Sequence, residues 1–324
     1  MNLQIYNLAH EAAVWRDMSH FGRFRCTGKD AATLLHHLTT NDIKGLMPGA
    51  GCDAALITSK ARLLDWLTIY RVDDAFLVIT SPNRRATFKP HVQKFILFRQ
   101  EIKIEDVTDS TGMFGLFGPQ LKEVATRFGA EEVLDVPLNR PLTIETNGLT
   151  LSAARTTRLP GSGVIFWSQD ASGLRHLIQD SGQPLADDET YNVLRVEAGV
   201  PVAGLELTEE INPWEARFDE AISMNKGCYN GQEVVARLHT YKKVKQGLFG
   251  LKLEQSLPMG QRANLRCEER AAGFITSSVA SPRFGPIALA YIRGDYQQPG
   301  QPLEVIAESA TQKATVVELP FQNS

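Results

Sequence analysis

The segment Met224–Arg237, MNKGCYNGQEVVAR, places Lys226 two residues before Cys228 in a crowded polar stretch. The Asn-Gly pair that follows is typical of a tight turn. Gln232-Glu233 then opens a helix-like run, where a negative charge is favourable. In an extended stretch the Lys226 and Cys228 side chains would point the same way, and a nearby ammonium lowers the pKa of a thiol. The segment predicts an exposed, reactive cysteine; the alternative is a small, buried, apolar one.

The residues after this segment form short apolar runs separated by glycine and proline. The runs are GLFGLKLE at 247–254, GFITSSVA at 273–280, IALAYIR at 287–293, PLEVIA at 302–307 and ATVVELPF at 314–321. Runs of this length with turn residues between them are typical of strands in a small barrel. The sequence therefore predicts a C-terminal β-barrel over residues 244–324.

The residues before the segment alternate between helical and strand patterns. Asp30 to Thr40 carries leucines on one helical face, with Asp30 as the predicted N-cap. Residues 61–80, ARLLDWLTIYRVDDAFLVIT, indicate two strands joined by a turn at Asp73-Asp74. This mixture indicates the α+β fold class. We expect residues 1–243 to form an α+β region of two subdomains.

The composition is that of an ordinary globular protein. Of the 324 residues, 43% are hydrophobic and 22% are charged, and the formal net charge is −3. This charge provides no bulk attraction to nucleic acid or to a membrane surface. No segment approaches 18 uninterrupted apolar residues, and the N-terminal stretch does not have the pattern of a signal peptide, so we expect no membrane association.

The cysteines and histidines do not form a metal-binding pattern. Cys26, Cys52, Cys228 and Cys267 lie far apart along the chain, which excludes a zinc ribbon or a CxxC redox motif. The adjacent His36-His37 pair would point about 100° apart on a helix and could not chelate one ion together. We therefore predict no metal site, and a cytoplasmic protein with reduced thiols.

Two carboxylates occupy positions that disfavour them. Glu197, in YNVLRVEAGVP, falls in the last turn of a predicted helix, where the helix dipole opposes a negative charge. A salt bridge to Arg195 or solvent could compensate it, and so could a ligand with two parallel N–H donors, such as a pterin ring. Asp65 interrupts a strand pattern just before Trp66, which predicts either an outward-facing side chain or a functional acid.

These motifs together resemble a known family. Residues 194–237 resemble the YgfZ family of folate-binding proteins, and Lys226–Glu233, KGCYNGQE, matches that family's K-G-C-Y-x-G-Q-E signature. More broadly, the chain is similar to the superfamily of the glycine cleavage T-protein, an aminomethyltransferase, at HHLTTNDIKGLMPG, FGLFGP and LRVEAG. The resemblance implies a T-protein-like fold, in which interleaved α+β subdomains bind tetrahydrofolate and a β-barrel follows.

The resemblance also implies site residues and partners. Glu197 corresponds to the folate-binding glutamate, Lys226 is expected near the tetrahydrofolate, and Lys226 and Cys228 are expected to take part in the chemistry. YgfZ-like proteins support the assembly or repair of iron–sulfur enzymes, including one that methylthiolates tRNA. The expected partners are therefore folate and iron–sulfur client proteins. Direct binding of nucleic acid is not expected.

Departures from the T-protein pattern leave two alternatives open. T-proteins carry paired aspartates where this chain reads Leu64-Asp65-Trp66, and residues 155–163, RTTRLPGSG, replace a glycine-rich stretch. One alternative is a folate-dependent one-carbon (aminomethyl) transferase, with Asp65 as the catalytic general acid or base. The other is a client-binding scaffold whose folate pocket is vestigial.

Overall fold

The computed structural model describes residues 1–161, 163–258, 260–307 and 311–322. Seven positions lie outside the described residues: residue 162 of RTTRLPGSG, and six positions within the predicted barrel range 244–324. The chain forms two compact units. The first contains Met1–Ile57, Asp65–Tyr191 and Glu220–Asn230, and the second contains Thr58–Leu64, Asn192–Asp219 and the residues from Gly231 onward. The boundary between residues 243 and 244 stays a prediction.

The described residues form seven α-helices and sixteen strands, with four short 3-10 helices. The α-helices are α1 (Leu3–Glu11), α2 (Ala31–Leu38), α3 (Arg85–Gln93), α4 (Leu121–Arg127), α5 (Ala171–Asp180), α6 (Asp188–Ala198) and α7 (Gln232–Thr240). The strands are β1 (Val14–Asp17), β2 (Gly22–Thr27), β3 (Gly51–Ile57), β4 (Leu63–Val72), β5 (Ala75–Thr80), β6 (Lys103–Asp106), β7 (Gly112–Phe117), β8 (Leu142–Thr146), β9 (Leu149–Thr156), β10 (Gly163–Ser168), β11 (Gln246–Leu253), β12 (Ala263–Cys267), β13 (Arg270–Ser281), β14 (Gly285–Arg293), β15 (Pro302–Ile306) and β16 (Thr311–Val317). The 3-10 helices are Pro82–Arg84, Glu131–Leu134, Asp219–Ala221 and Gly294–Tyr296.

The first unit contains two five-stranded sheets. One has the order β1-β7-β10-β9-β8 and the other has the order β3-β4-β5-β2-β6. In the second sheet, β4 and β5 form the predicted hairpin, and the turn residue Asp73 has a left-handed φ of 51°. Strands from different parts of the chain therefore interleave, as α+β subdomains do. The aromatic side chains Trp15, Phe114 and Phe166 belong to the buried core of the first sheet.

The second unit contains a closed barrel of six strands in the order β11-β14-β13-β12-β15-β16. Its core is mostly aliphatic and includes Leu251, Ile275 and Val316, since alternate residues of each strand point inward. Gly273 on β13 has a φ of 152°, and a Cβ placed there would lie 2.0 Å from the Tyr291 carbonyl oxygen, so the close approach of β13 and β14 requires glycine.

The predicted α+β fold class and C-terminal β-barrel are confirmed. Asp30 is the N-cap residue of α2, as predicted, but its carboxylate makes no capping hydrogen bond and instead accepts one from the Glu101 backbone N–H. Among the described residues, no helix has the length and apolar character needed to cross a bilayer.

Candidate functional site

Lys226 is a buried lysine, 6% exposed, that binds the C-terminal end of α2. Its ammonium donates hydrogen bonds to three backbone carbonyl oxygens, those of His36 at 2.6 Å, Thr39 at 2.6 Å and Asn41 at 2.7 Å. The Asn230 backbone N–H donates to the His37 carbonyl at 2.8 Å. The last carbonyls of a helix have no partner inside the helix and carry partial negative charge. The segment KGCYNG therefore supplies hydrogen-bond donors to the carbonyl oxygens at the end of α2.

Lys226 and Cys228 do not point the same way, so the expectation drawn from an extended segment is wrong. Lys226 is buried whereas Cys228 is exposed, and residues 224–229 do not form a strand. The physical reason is the three carbonyls, which hold the Lys226 amine inward. Burial lowers the pKa of Lys226 to about 7, against the influence of Asp42 and of Cys52, which raise it. Cys52, on β3, is therefore a thiol that interacts electrostatically with this ammonium.

Cys228 has the exposure expected of a reactive thiol. All four cysteines are free, and Cys228 is the exposed one, while Cys26 is buried and Cys52 and Cys267 are intermediate. His36 lies close to this segment, with its Nε2 3.7 Å from a Cβ placed on Gly227, the residue before Cys228. Its Nδ1 lies 3.2 Å from an Asp42 carboxylate oxygen. His239, on α7, contacts the Trp214 ring.

Asp65 is buried in β4, with 1% of its surface exposed, so the alternative of an outward-facing side chain is wrong. Its carboxylate accepts hydrogen bonds from the backbone N–H groups of Trp66 at 2.8 Å and Ser81 at 3.0 Å. Burial raises the pKa of Asp65, whereas the hydrogen bonds from Ser81 and the charge of Arg158 lower it. A buried acid with a raised pKa is a candidate for proton transfer.

A polar chain of side chains extends from Arg158 in the same unit. The Arg158 guanidinium donates to the Thr68 hydroxyl at 3.3 Å, and that hydroxyl donates to Asp53 at 2.6 Å. The Asn139 amide donates to the other carboxylate oxygen of Asp53 at 3.0 Å. Sequence reasoning missed Arg158, although the altered stretch RTTRLPGSG contained it, because a single arginine in a loop carries no periodic signal.

Glu197 is a buried carboxylate, 4% exposed, near the end of α6. The Ser281 hydroxyl donates a hydrogen bond to one of its carboxylate oxygens, and the Phe321 backbone N–H donates to its carbonyl oxygen. Exposure to solvent and a salt bridge to Arg195, the two alternatives to a ligand, are both wrong. Glu197 is buried, and Arg195 instead pairs with Glu206 at 2.9 Å. A carboxylate can accept about four hydrogen bonds. Its chemistry therefore suits a ligand that presents paired N–H donors.

The Arg195–Glu206 pair is the main buried ion pair of the second unit. Both side chains are almost fully buried, at 2% and 0% exposure. Glu206 also accepts hydrogen bonds from the Val202 backbone N–H and from the hydroxyls of Thr276 and Ser277. This network connects the segment after α6 to the barrel strand β13. It explains why Arg195 is not available to Glu197.

The predicted site residues fall into both units. Lys226, Cys228 and Asp65 lie in the first unit, and Glu197 lies in the second. Among the described residues, no group of three or more histidine, cysteine or acidic side chains is arranged to hold a metal ion.

Comparison with known proteins identifies the family. Residues 6–226 match the family described as the GCVT N-terminal domain, and residues 247–322 match the glycine cleavage T-protein C-terminal barrel domain. The chain belongs to the glycine cleavage T-protein family. The T-protein-like fold expected from the sequence is thereby confirmed, with the barrel match beginning one residue after the start of β11.

Relatives of this T-protein family member include proteins with different names. A chloroplastic protein of Arabidopsis thaliana, provisionally named a transferase, is 31% identical over 86% of this chain, which spans 64% of that protein's length. An aminomethyltransferase of Cutibacterium acnes is 28% identical over 94% of this chain and 86% of the relative. The crystal structure of the glycine cleavage system aminomethyltransferase T from Bartonella henselae matches 99% of this chain and 89% of its own, with a TM-score of 0.85 at 20% identity. That likeness shows the shared fold.

Proposed function

We propose that this T-protein family member binds tetrahydrofolate and supports the assembly or repair of iron–sulfur proteins, as YgfZ-like proteins do. Its effect on tRNA modification would be indirect, through iron–sulfur client enzymes, with no direct contact to RNA. The observation that carries the folate part is the buried Glu197 carboxylate within the LRVEAG motif. The cytoplasmic location predicted from the free cysteines belongs to the same proposal.

Glu197 would anchor the pterin ring. A buried carboxylate is costly unless hydrogen bonds satisfy it, and charge-assisted hydrogen bonds are about twice as strong as neutral ones. Ser281 supplies one donor to Glu197. A pterin edge presents an exocyclic amine beside a ring N–H, the pair of parallel donors that matches a carboxylate. Burial of the site excludes water that would otherwise compete for the carboxylate.

The folate proposal predicts that wild-type protein binds tetrahydrofolate with a Kd near 1 μM, which corresponds to about −8 kcal/mol. Glu197→Ala should weaken this binding at least 100-fold, because about 3 kcal/mol of paired, charge-assisted hydrogen bonding is lost. The measurement is anaerobic calorimetry. Glu209→Ala, at an exposed glutamate twelve residues further along the chain, is the matched control and should bind like wild type. Absence of tetrahydrofolate binding to the wild-type protein would contradict the proposal.

Cys228 would be the residue that acts on client proteins. One thiol cannot hold a stable cluster, which usually needs four ligands. The exposed Cys228 would therefore engage a sulfur or iron species only together with a partner. Lys226 would position this segment by holding the backbone around Cys228 against the end of α2.

Removal of the Cys228 thiol should separate the support of iron–sulfur enzymes from the binding of tetrahydrofolate. Cys228→Ala should abolish support of iron–sulfur enzymes in cells that lack the wild-type gene, while tetrahydrofolate affinity stays within about twofold, because the thiol is not the group proposed to anchor the pterin. The measurement combines complementation with calorimetry. Cys267→Ala, at a partly buried thiol of the barrel, is the control and should support growth. Full complementation by Cys228→Ala would show that the thiol is structural.

A folate-dependent one-carbon transferase is the second candidate, and the burial of Asp65 favours it. Bound tetrahydrofolate would supply the nitrogen that accepts the one-carbon unit. Asp65 would hold or release a proton at its carboxylate oxygen, since burial raises its pKa.

This candidate predicts turnover with aminomethyl or N-methyl donors, reduced at least 100-fold in Asp65→Asn. The measurement is detection of the one-carbon folate product by chromatography. If no donor in a panel gives product with wild type, the transferase is excluded. If client binding is independent of folate, the scaffold with a vestigial pocket replaces both.

A further inference from the structure

The turn that follows α3 exposes two adjacent apolar side chains. Phe98 is fully exposed and Leu97 is 70% exposed. Other exposed large apolar side chains, such as Met47 and Tyr241, lie apart from one another along the chain. Single exposed apolar residues are normal on a protein surface, whereas contiguous ones indicate an interaction site. The proposed function does not use this turn.

Hydrogen bonds fix the turn that carries these side chains. The Gln100 backbone N–H donates to the Leu97 carbonyl oxygen at 2.9 Å, and the Leu97 backbone N–H donates to the Gln100 side-chain oxygen at 2.9 Å. Phe98 therefore occupies a corner of a closed four-residue turn. After the turn, the Glu101 backbone N–H donates to the carboxylate of Asp30 at the start of α2. The chain thus presents the Phe98 ring on a defined turn.

The segment around the turn is cationic. Residues 81–100 contain two lysines and three arginines but no aspartate or glutamate, in a chain whose net charge is −3. Lys94 and Arg99 are exposed, and neither forms an ion pair within the part of the chain that the structure describes. Glu101, the first acid after the turn, is paired with Lys29. The exposed apolar pair therefore has an unpaired cation on each side along the chain.

We propose that this turn binds an anionic lipid surface reversibly. The Phe98 and Leu97 side chains enter the boundary between headgroups and acyl chains, while Lys94 and Arg99 attract the lipid phosphates. Apolar burial and electrostatic attraction act together in peripheral binding of this kind. Each lysine or arginine held near an anionic leaflet contributes about 1 kcal/mol.

A bilayer fits the turn better than a protein partner does. A stable protein interface buries about 800 Å² on each partner, more than two side chains at the corner of a turn provide. A protein would also need a pocket matched to the protruding ring, whereas a fluid bilayer adapts to it. Net charge and the length of apolar segments, from which no membrane association was expected, do not detect a local patch of this kind.

The test is co-flotation of the full-length protein with lipid vesicles. Wild type should float with vesicles of equal parts phosphatidylglycerol and phosphatidylcholine, and much less with phosphatidylcholine alone. Phe98→Asp should weaken binding about 10-fold or more, and so should the double variant Lys94→Gln with Arg99→Gln. Met47→Asp adds the same charge at an exposed methionine between α2 and β3, and it should bind like wild type.

Tryptophan fluorescence separates insertion from adsorption. Phe98→Trp should float like wild type, and its emission should shift to shorter wavelength with the anionic vesicles because the added indole leaves water. Met47→Trp is the matched control, and its emission should not shift when vesicles are added.

Four results would each overturn the proposal. They are no flotation of wild type, equal flotation with the two kinds of vesicle, equal flotation of Phe98→Asp and Met47→Asp, and unshifted emission from vesicle-bound Phe98→Trp. The first would favour an acidic protein surface as the partner of the turn. Since no folate is present in these experiments, their outcome is independent of the Glu197 pocket.

Discussion

Replacing Lys226 with methionine should lower the free energy of unfolding by about 3 kcal/mol or more. Methionine matches the length of the lysine stem, so packing is largely retained. The three carbonyl oxygens of His36, Thr39 and Asn41 lose their donor, however, and each buried polar group left without a partner costs about 1–3 kcal/mol. The end of α2 and the segment around Cys228 should loosen together. Urea unfolding followed by circular dichroism measures the change.

Lys44→Met is the matched control, because Lys44 is an exposed lysine close along the chain to the same helix end. It should change the unfolding free energy by less than about 0.5 kcal/mol. If Lys226→Met is as stable as this control, the three carbonyls do not depend on the amine. The structural role of the signature lysine would then be wrong.

Comparison of wild type with Lys226→Met also tests the ionisation of Lys226. Burial lowers the pKa of Lys226 to about 7 in the folded protein, whereas an unfolded lysine titrates near 10.4. Between these values the unfolded chain binds more protons, so the Lys226 contribution to stability rises with pH. The stability difference between wild type and Lys226→Met should therefore grow from pH 7 to pH 10. If this stability difference does not change with pH, the three carbonyl oxygens stabilise the ammonium form enough to offset the effect of burial on the Lys226 pKa.

Glu206→Gln should destabilise the second unit by about 3–5 kcal/mol. The substitution leaves the Arg195 guanidinium buried without its carboxylate, and removing one partner of a buried ion pair has about this cost. It also turns an amide N–H toward a site where Val202, Thr276 and Ser277 already provide donors. The unfolding free energy from urea titration measures the loss.

Glu318→Gln provides the comparison, because Glu318 pairs with Arg217 at 3.3 Å on the surface. An exposed pair contributes about 0–1 kcal/mol, so this variant should be close to wild type. A double variant, Arg195→Met with Glu206→Leu, should recover part of the loss since no unpaired charge remains. Equal stability of Glu206→Gln and Glu318→Gln would contradict the buried network.

Some features of the site followed from local pattern and some did not. The Asp73-Asp74 turn and the barrel strands were predictable because alternation and turn residues act over a few positions. The environment of Asp65 was not, since a strand pattern does not say which face is covered. Arg158 was missed for a related reason, because its neighbours Phe21, Trp66 and Thr68 come from distant strands and loops.

The sequence by itself determined the fold class, the barrel and the resemblance of KGCYNGQE to a family signature, because these depend on residue order and short-range periodicity. Only the tertiary structure decided that Lys226 turns inward while Cys228 stays exposed. The Lys226 amine meets a carbonyl 190 residues away along the chain, at the end of α2. Three carbonyl oxygens gathered there outweigh the local tendency of alternate residues to point the same way, because a buried ammonium needs all of its hydrogen bonds.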